Sequence, residues 1–401
     1  VSSPPRILFV THNFPRFADD AAGSFVLRLA RALIDAGAHV HVLAPAAAGL
    51  AARDEIEGVP VERVRYARED RQVLAYEGTM VEAVRGSWGG RLALLGLLWH
   101  VSRAIREAVA TARRAGTPYD VVHAHWWFPS GLSAWHAGAG GGGMPPLVVT
   151  MHGSDVRLAQ RIAPSHLFMR RVLRRAHAVT AVSTWLARTA EGLVSGIRVH
   201  VAPMPVPVNR FSPPADSTVP RAGVLVVGRL NAQKGIADLL DALARTPAAV
   251  RCEIVGDGPD REALQARART LGLEARLVWH GALPADALPS LYQRAAVTVM
   301  PSREEGLGLV AVESQLCGTP VIGYDSGGLP DVVSPQAGGT LVPVGDIAQL
   351  AAAIERITDA PSEARQLGEV ARSHVLQAFS PQHVAAHYLE LYRSTSVSAR
   401  G

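Results

Sequence analysis

The sequence predicts an α/β protein made of two doubly wound, Rossmann-like domains, and three observations carry that expectation. Short apolar runs alternate with helix-length amphipathic segments from end to end, the pattern of parallel strands joined by crossover helices. The alternation breaks once, where Pro205, Pro207, Pro213, Pro214 and Pro220 crowd a stretch that neither helix nor strand tolerates. A chain of 401 residues, 48% apolar and 19% charged, also has length and apolar content for two cores.

Taken in order, the strands of the first series are expected at Ile7–Thr11, Val40–Ala44, Val59–Val64, Val121–Ala124, Leu147–Met151, Ala178–Val182 and Arg198–Ala202. Helical stretches fill the intervals. A second series follows at Val224–Val227, Cys252–Val255, Leu277–Trp279, Val297–Met300 and Pro320–Gly323. These place a first domain at 1–203, a linker at 204–222 and a second domain at 223–380. A terminal segment, 381–401, carries a helix from Pro381 to about Arg393 that can return to the first domain. The run Gly138–Gly143 reads as a flexible loop before the Leu147 strand.

Composition excludes several classes. With 37 Gly and 27 Pro but no G-X-Y period, the chain is neither collagenous nor low-complexity. Two cysteines, Cys252 and Cys317, cannot form a disulfide framework and suit a reducing compartment as buried thiols. The apolar runs Ile7–Val10 and Leu92–Trp99 are too short for a signal core or a membrane span. A cytoplasmic protein is expected, with the inner face of the membrane as a candidate place of work. Net charge is +5. It is unevenly spread, because residues 1–210 carry 24 Arg against 15 acids and residues 211–401 carry 16 basic residues against 20 acids. All the basic residues are Arg except Lys234, so that position calls for a compact ammonium.

In open α/β sheets ligands sit outside the carboxyl ends of strands, which directs attention to the residues just after each run. The richest such stretch is Pro301 to Val321. Glu305 in its loop and Glu313 two turns into its helix can border one site. Between them Gly308 opens the helix and leaves the amides of Leu309 and Val310 pointed at a bound anion. Phosphate on amides beside carboxylates that can hold hydroxyls suggests a nucleotide-sugar. A second stretch, Gly228-Arg-Leu-Asn-Ala-Gln-Lys-Gly235, follows the Val224 strand and projects Arg229 and Lys234 from its end, two cations suited to a diphosphate.

Here the sequence resembles the retaining GT-B glycosyltransferases of family 4. The Gly-Arg-Leu-x-x-x-Lys-Gly motif, the Glu305/Glu313 spacing, Cys317-Gly-Thr-Pro-Val321 and Gly327-Gly-Leu-Pro-Asp331 occur in that family's order, most specifically between residues 224 and 342. The resemblance implies a fold with two domains facing a central cleft. It also implies that Arg229 and Lys234 bind the donor diphosphate, Glu305 approaches the donor sugar and Glu313 holds the ribose. Residues Gly281 to Leu283 would lie near the base, with Leu283 a donor contact. Leu307 stands where the family usually has Phe, and Ser314-Gln-Leu316 where it has Ala-Met-Ala. The charge pattern is intact.

The first domain contributes Tyr119-Asp-Val-Val-His-Ala-His125, where His123 and His125 share a strand face. The resemblance assigns the His at position 125 to the donor sugar and leaves His123 structural. At Thr150-Met-His-Gly-Ser-Asp155, His152 is expected to face the acceptor; Asp155 is expected first to cap or pair and is only then a second acceptor candidate. In the loop after the first strand, Gly23 can let backbone approach the diphosphate, with Ser24 a candidate N-cap. The stripe Arg170, Arg171, Arg174 and Arg175, opposite Leu167 and Val172-Leu173, is a candidate for contact with an anionic membrane or a phosphate-bearing acceptor.

The resemblance implies retaining transfer of a hexose from a UDP- or GDP-sugar to a sugar, lipid-linked or small-molecule hydroxyl. No Asp-x-Asp occurs, so neither metal nor cofactor is expected, and no motif points to nucleic acid. A His123/His125/His152 metal site is a weaker alternative. The rival from another class is an NAD-dependent oxidoreductase, because Gly306-Leu-Gly308-Leu-Val-Ala311 fits a dinucleotide fingerprint with Asp325 downstream. It is disfavoured because Pro301–Glu305 separates the strand from the first Gly. A non-catalytic sugar-binding protein leaves the two cations unexplained, and a nucleotide-sugar epimerase of the same architecture remains a rival.

Overall fold

The computed structural model describes residues 4–18, 20, 22–76, 80–216 and 220–398. The chain forms two compact units, Val1–Pro205 with Pro381–Gly401, and Val206–Ser380.

The first unit starts with β1 (Arg6–Val10), α1 (Ser24–Asp35) and β2 (His39–Pro45), then a hairpin of β3 (Arg53–Ile56) and β4 (Val59–Val64). Next come α2 (Met80–Gly86), α3 (Trp88–Arg114), β5 (Val121–His125), α4 (Leu132–Ala137), β6 (Leu147–Met151), α5 (Ser154–Arg161), α6 (Ser165–Arg175), β7 (Ala178–Ala181), α7 (Thr184–Leu193) and β8 (Val199–Val201). The strands form one sheet in the order β3-β4-β2-β1-β5-β6-β7-β8, parallel except for the β3/β4 pair. β5 and β6 are buried along their whole length, as parallel strands covered on both faces must be. Strand order reverses between β1 and β5, so their carboxyl ends open a crevice.

The second unit contains β9 (Val224–Val227), α8 (Ile236–Leu243), β10 (Cys252–Val255), α9 (Arg261–Thr270), β11 (Leu277–Gly281), α10 (Leu288–Arg294), β12 (Val297–Met300), α11 (Leu309–Leu316), β13 (Val321–Tyr324), β14 (Thr340–Val342), α12 (Ile347–Asp359) and α13 (Pro361–Phe379). Its parallel sheet runs β11-β10-β9-β12-β13-β14, and here the order reverses between β9 and β12. Val226, Leu240, Ile254, Val299 and Ile354 are among the side chains of its core.

The last helix, α14 (Pro381–Ser398), belongs to the first unit. It buries Tyr388 and Tyr392 against the sheet, and the Tyr392 hydroxyl meets His123 Nδ1 at 2.8 Å. His123 is thereby enclosed, its Nε2 2.7 Å from Thr150 Oγ1.

Three features differ from the sequence reading. β3 and β14 are additional strands, one charged at the sheet edge and the other three residues long. Residues 206–216 and 220–222 carry no helix or strand, but they fold onto the second unit and are not a free linker. Phe211 is buried against Tyr292, and the Val206 amide bonds the Phe379 carbonyl. Leu167 is exposed on α6 together with the arginines, and the buried side of that helix is Met169, Val172 and Leu173. Among the described residues no helix is long and apolar enough to cross a membrane.

Candidate active site

In each unit the candidate residues gather at the strand ends where the sheet order reverses, which is the position the fold leaves open for a ligand. In the second unit two loops meet there, one after β9 and one after β12. The first makes a tight turn at Ala232–Lys234, where the Asn231 side chain caps the Lys234 amide at 3.2 Å. The stem of Lys234 lies over Gly228, and its Nζ reaches Glu305 Oε2 at 2.6 Å in a partly buried ion pair. Backbone and side-chain bonds lace the loops together: Gln233 Nε2 donates to the Glu304 carbonyl, and the Arg303 amide to the Gln233 carbonyl. Arg229 extends from the end of β9 into solvent and, among the described residues, meets no acceptor. One cation is therefore paired with a carboxylate through one of its three N–H donors, and the other has no protein acceptor among the described residues.

The β12 loop ends at Gly308, whose φ of 93° lies in the left-handed region where glycine is favoured. A Cβ there would come within 2.8 Å of Leu329 Cδ1. Gly308 caps α11, so the amides of Leu309 and Val310 start the helix without intrahelical acceptors and add the positive end of its dipole. Glu313 lies in the second turn, where the Tyr292 hydroxyl donates to its Oε2 at 3.1 Å. Burial and the facing Glu313 carboxylate hold the Tyr292 phenol well above its ordinary range, so it stays a donor. Tyr292 is a residue the sequence reading missed, since nothing local marks a contact across 21 positions. Leu283 sits half-buried in the loop after β11.

Ser314 and Gln315, the departures from the family pattern, lie wholly inside. Ser314 Oγ donates within 2.8 Å of Thr298 Oγ1, and Gln315 Nε2 donates to the Val332 carbonyl at 3.2 Å. Gly306 stands six positions beyond the end of β12, whereas a dinucleotide fingerprint enters its turn directly from the strand. Cys317 is buried and its thiol is pushed up to about 12 by that burial.

In the first unit the loop after β1 returns to α1 through Gly23, which adopts a φ of 66° and would place a Cβ 2.3 Å from the Asn13 carbonyl oxygen. Gly23, not Ser24, is the N-cap; Ser24 is the first helical residue and its hydroxyl accepts from Arg28. At the ends of β1, β5 and β6 an imidazole and aromatic cluster forms. His125 Nδ1 lies 3.1 Å from His152 Nε2, while His125 Nε2 is buried without a partner. Trp126, held at a φ of 65°, touches His12 on one side and His152 on the other, with ring centroids 4.4 and 4.3 Å apart. His12 and Trp126 are further residues the sequence reading passed over, although both lie within two residues of a strand end.

Asp155 takes the pairing role, the first of the two readings its sequence position allowed. Its carboxylate is buried and accepts the backbone amides of Trp127, His152, Gly153 and Val156 at 3.0 to 3.2 Å. It ties the β5 and β6 loops together and has no capacity left for an acceptor. His152 is the less buried member of the histidine pair.

Burial dominates the histidine titrations. It lowers His12 to about 4 and His125 to about 3, and takes His123 and His152 well below their ordinary range. An unfolded chain takes up these protons near pH 6.5 and the folded chain does not. The stabilisation is therefore complete above pH 6.5 and is lost as pH falls, at about 1.4 kcal/mol per pH unit for each histidine. His12 and His125 together should cost the first unit about 4 kcal/mol between pH 7 and pH 5. Guanidinium unfolding followed by tryptophan fluorescence reads this, because Trp279 is the one tryptophan outside that unit. Equal midpoints at the two pH values would contradict it.

Comparison with known proteins bears on both units. Residues 213–374 match the family described as glycosyl transferases group 1, and residues 21–207 the glycosyl transferase 4-like domain. The chain is 34% identical over 378 residues to 2-deoxystreptamine N-acetyl-D-glucosaminyltransferase of Streptomyces fradiae, covering 85% of this chain and 84% of that protein. It is 32% identical over 336 residues to D-inositol 3-phosphate glycosyltransferase of Acidothermus cellulolyticus, covering 74% and 72%. Among solved structures, sucrose-phosphate synthase of Thermosynechococcus elongatus aligns with a TM-score of 0.78 at 25% identity over 98% of this chain and all of that one. HepE of Anabaena, solved with UDP and glucose, shares the fold with a TM-score of 0.68 at 20% identity, over 97% of this chain and all of that one.

Proposed function

The chain belongs to the glycosyl transferases group 1, and on that premise we propose that it moves a sugar from a nucleoside-diphosphate donor to an acceptor hydroxyl with retention and without a metal ion. The observation that carries this reading is the grouping, at the β9/β12 reversal, of free Arg229, the Lys234–Glu305 pair and the N-terminus of α11. These groups suit a diphosphate whose charge grows as it leaves, because preorganised cations and amides need no reorganisation at that moment.

In this mechanism the acceptor oxygen attacks the anomeric carbon on the face from which the diphosphate departs. The bond from that carbon to phosphate oxygen breaks as the new glycosidic bond forms, and the acceptor proton passes to the leaving phosphate. Arg229, Lys234 and the amides of Leu309 and Val310 take up the developing charge. Glu305, held by Lys234, orients the donor sugar, and Glu313, fixed by Tyr292, accepts from the ribose hydroxyls. Leu283 lines the base. In the first unit, Gly23 keeps the β1 loop close to its own backbone, His125 offers its unpartnered Nε2 to a sugar hydroxyl, and His152 faces the acceptor. Two free, buried cysteines fit work in the cytoplasm.

A thermal-shift panel of UDP, GDP, ADP and NAD tests the donor class. A nucleoside diphosphate at 100 times its Kd should stabilise by about 2.7 kcal/mol, and Arg229→Ala should remove most of that shift. Stabilisation by NAD alone would overturn the reading.

A further inference from the structure

The first unit holds an open cavity of about 870 Å³, most of whose wall has no part in the site described above. One part of its wall is polar and belongs to the candidate acceptor site, with His12 and Asn13 from the β1 loop and Ser154 from the start of α5. The rest is mostly apolar, supplied by α2, α3, α4, α5 and the residue after α5 through side chains such as Val84, Leu94, Leu98, Leu132, Leu158 and Ile162, with Arg85 and Tyr76 among its polar exceptions. A polyhydroxylated or phosphorylated acceptor of this bulk would lose its hydrogen bonds to water against such a wall and regain few of them. The volume is that of a site for a whole ligand.

The rim points the same way. Leu95 and Phe168 line the cavity and are also exposed. From Leu95 the same face of α3 continues, at helical steps of four, three and four, through Trp88, Leu92 and Trp99. These four side chains are 48 to 77% exposed, a contiguous apolar surface of the kind that marks a binding face. Cations border it: Arg91 lies over the Trp88 ring at 4.8 Å and Arg103 over Trp99 at 5.9 Å. Exposed Arg170, Arg171, Arg174 and Arg175 follow Phe168 on α6.

We propose that this cavity takes the apolar part of the acceptor, which is therefore an amphiphile with a reactive hydroxyl and an alkyl or similarly apolar body. The hydroxyl end lies by His12, Asn13 and Ser154, and the apolar body lies among α2, α3 and α5. The proposal rests on the transferase reading, whose donor half lies in the other unit and can be measured separately. An anionic lipid surface and an amphiphile dissolved as a monomer present the same chemistry to the cavity.

The test is a calorimetric titration with hexyl, octyl and decyl β-glucosides below their micelle concentrations. Binding is expected to tighten about fourfold for each added methylene. Leu98→Trp fills the cavity and should abolish the dependence on chain length while leaving nucleoside diphosphate binding as in the wild type. Val84→Trp repeats the test from another helix should the first variant fold poorly. Affinity independent of chain length, or unchanged in both folded variants, would overturn the proposal. So would a dimer that hides the α3 stripe and binds no alkyl chain. If alkyl chains bind as expected but no nucleoside diphosphate does, the donor reading fails and the cavity assignment stands. Sedimentation with phosphatidylglycerol vesicles but not phosphatidylcholine vesicles would assign the amphiphile to an anionic lipid surface. Glucoside binding without vesicle association would assign it to solution, and either result keeps the cavity as its site.

Discussion

Lys234→Ala is expected to lower kcat/KM about 100- to 1,000-fold, the usual consequence of deleting one preorganised contact to developing charge. The effect should lie mostly in kcat, because charge on the leaving diphosphate is greatest in the transition state. Lys234→Arg should not restore activity: a planar guanidinium cannot occupy the place of an ammonium that sits 2.6 Å from Glu305 with its stem across Gly228. Glu305→Gln separates the two halves of the pair, since it frees Lys234 for phosphate while weakening the hold on the sugar. Steady-state kinetics of the three variants check this, and a Lys234→Ala enzyme within threefold of wild type would contradict it.

Asp155→Ala is expected to destabilise the first unit by about 3–5 kcal/mol. The carboxylate serves four backbone amides, three of them on the buried Trp127, Gly153 and Val156, and alanine leaves these donors without partners. In a unit of this size the loss amounts to a melting temperature lower by about 10 °C. Asp155→Asn keeps one acceptor oxygen and should fall between the two. Melting followed by tryptophan fluorescence measures the effect; a shift below about 2 °C would show that the carboxylate does not hold the loops.

The strands legible in the sequence are the central ones, such as Val224–Val227 and Leu147–Met151, because burial on both faces demands an unbroken apolar run. β3 was not legible: Arg53, Asp54 and Glu55 are exposed on a sheet edge, where charge protects against further pairing and erases the apolar pattern. The site divides along a similar line. Lys234 stood out as the lone lysine, and Gly308 as a glycine opening a helix. Tyr292 behind Glu313, and the amides around Asp155, depend on tertiary contacts that spacing does not encode. The cavity was hidden for another reason. Leu94 and Leu98 read as ordinary core positions of an amphipathic helix, and only the fold shows that they face empty space.

The most direct test of the central claim is proton NMR of the reaction with the nucleoside-diphosphate α-sugar whose nucleotide stabilises the protein best, in the presence of a metal chelator. Retaining, metal-independent transfer gives an α-linked product together with stoichiometric nucleoside diphosphate. A β-linked product, or turnover that the chelator abolishes, would contradict the account.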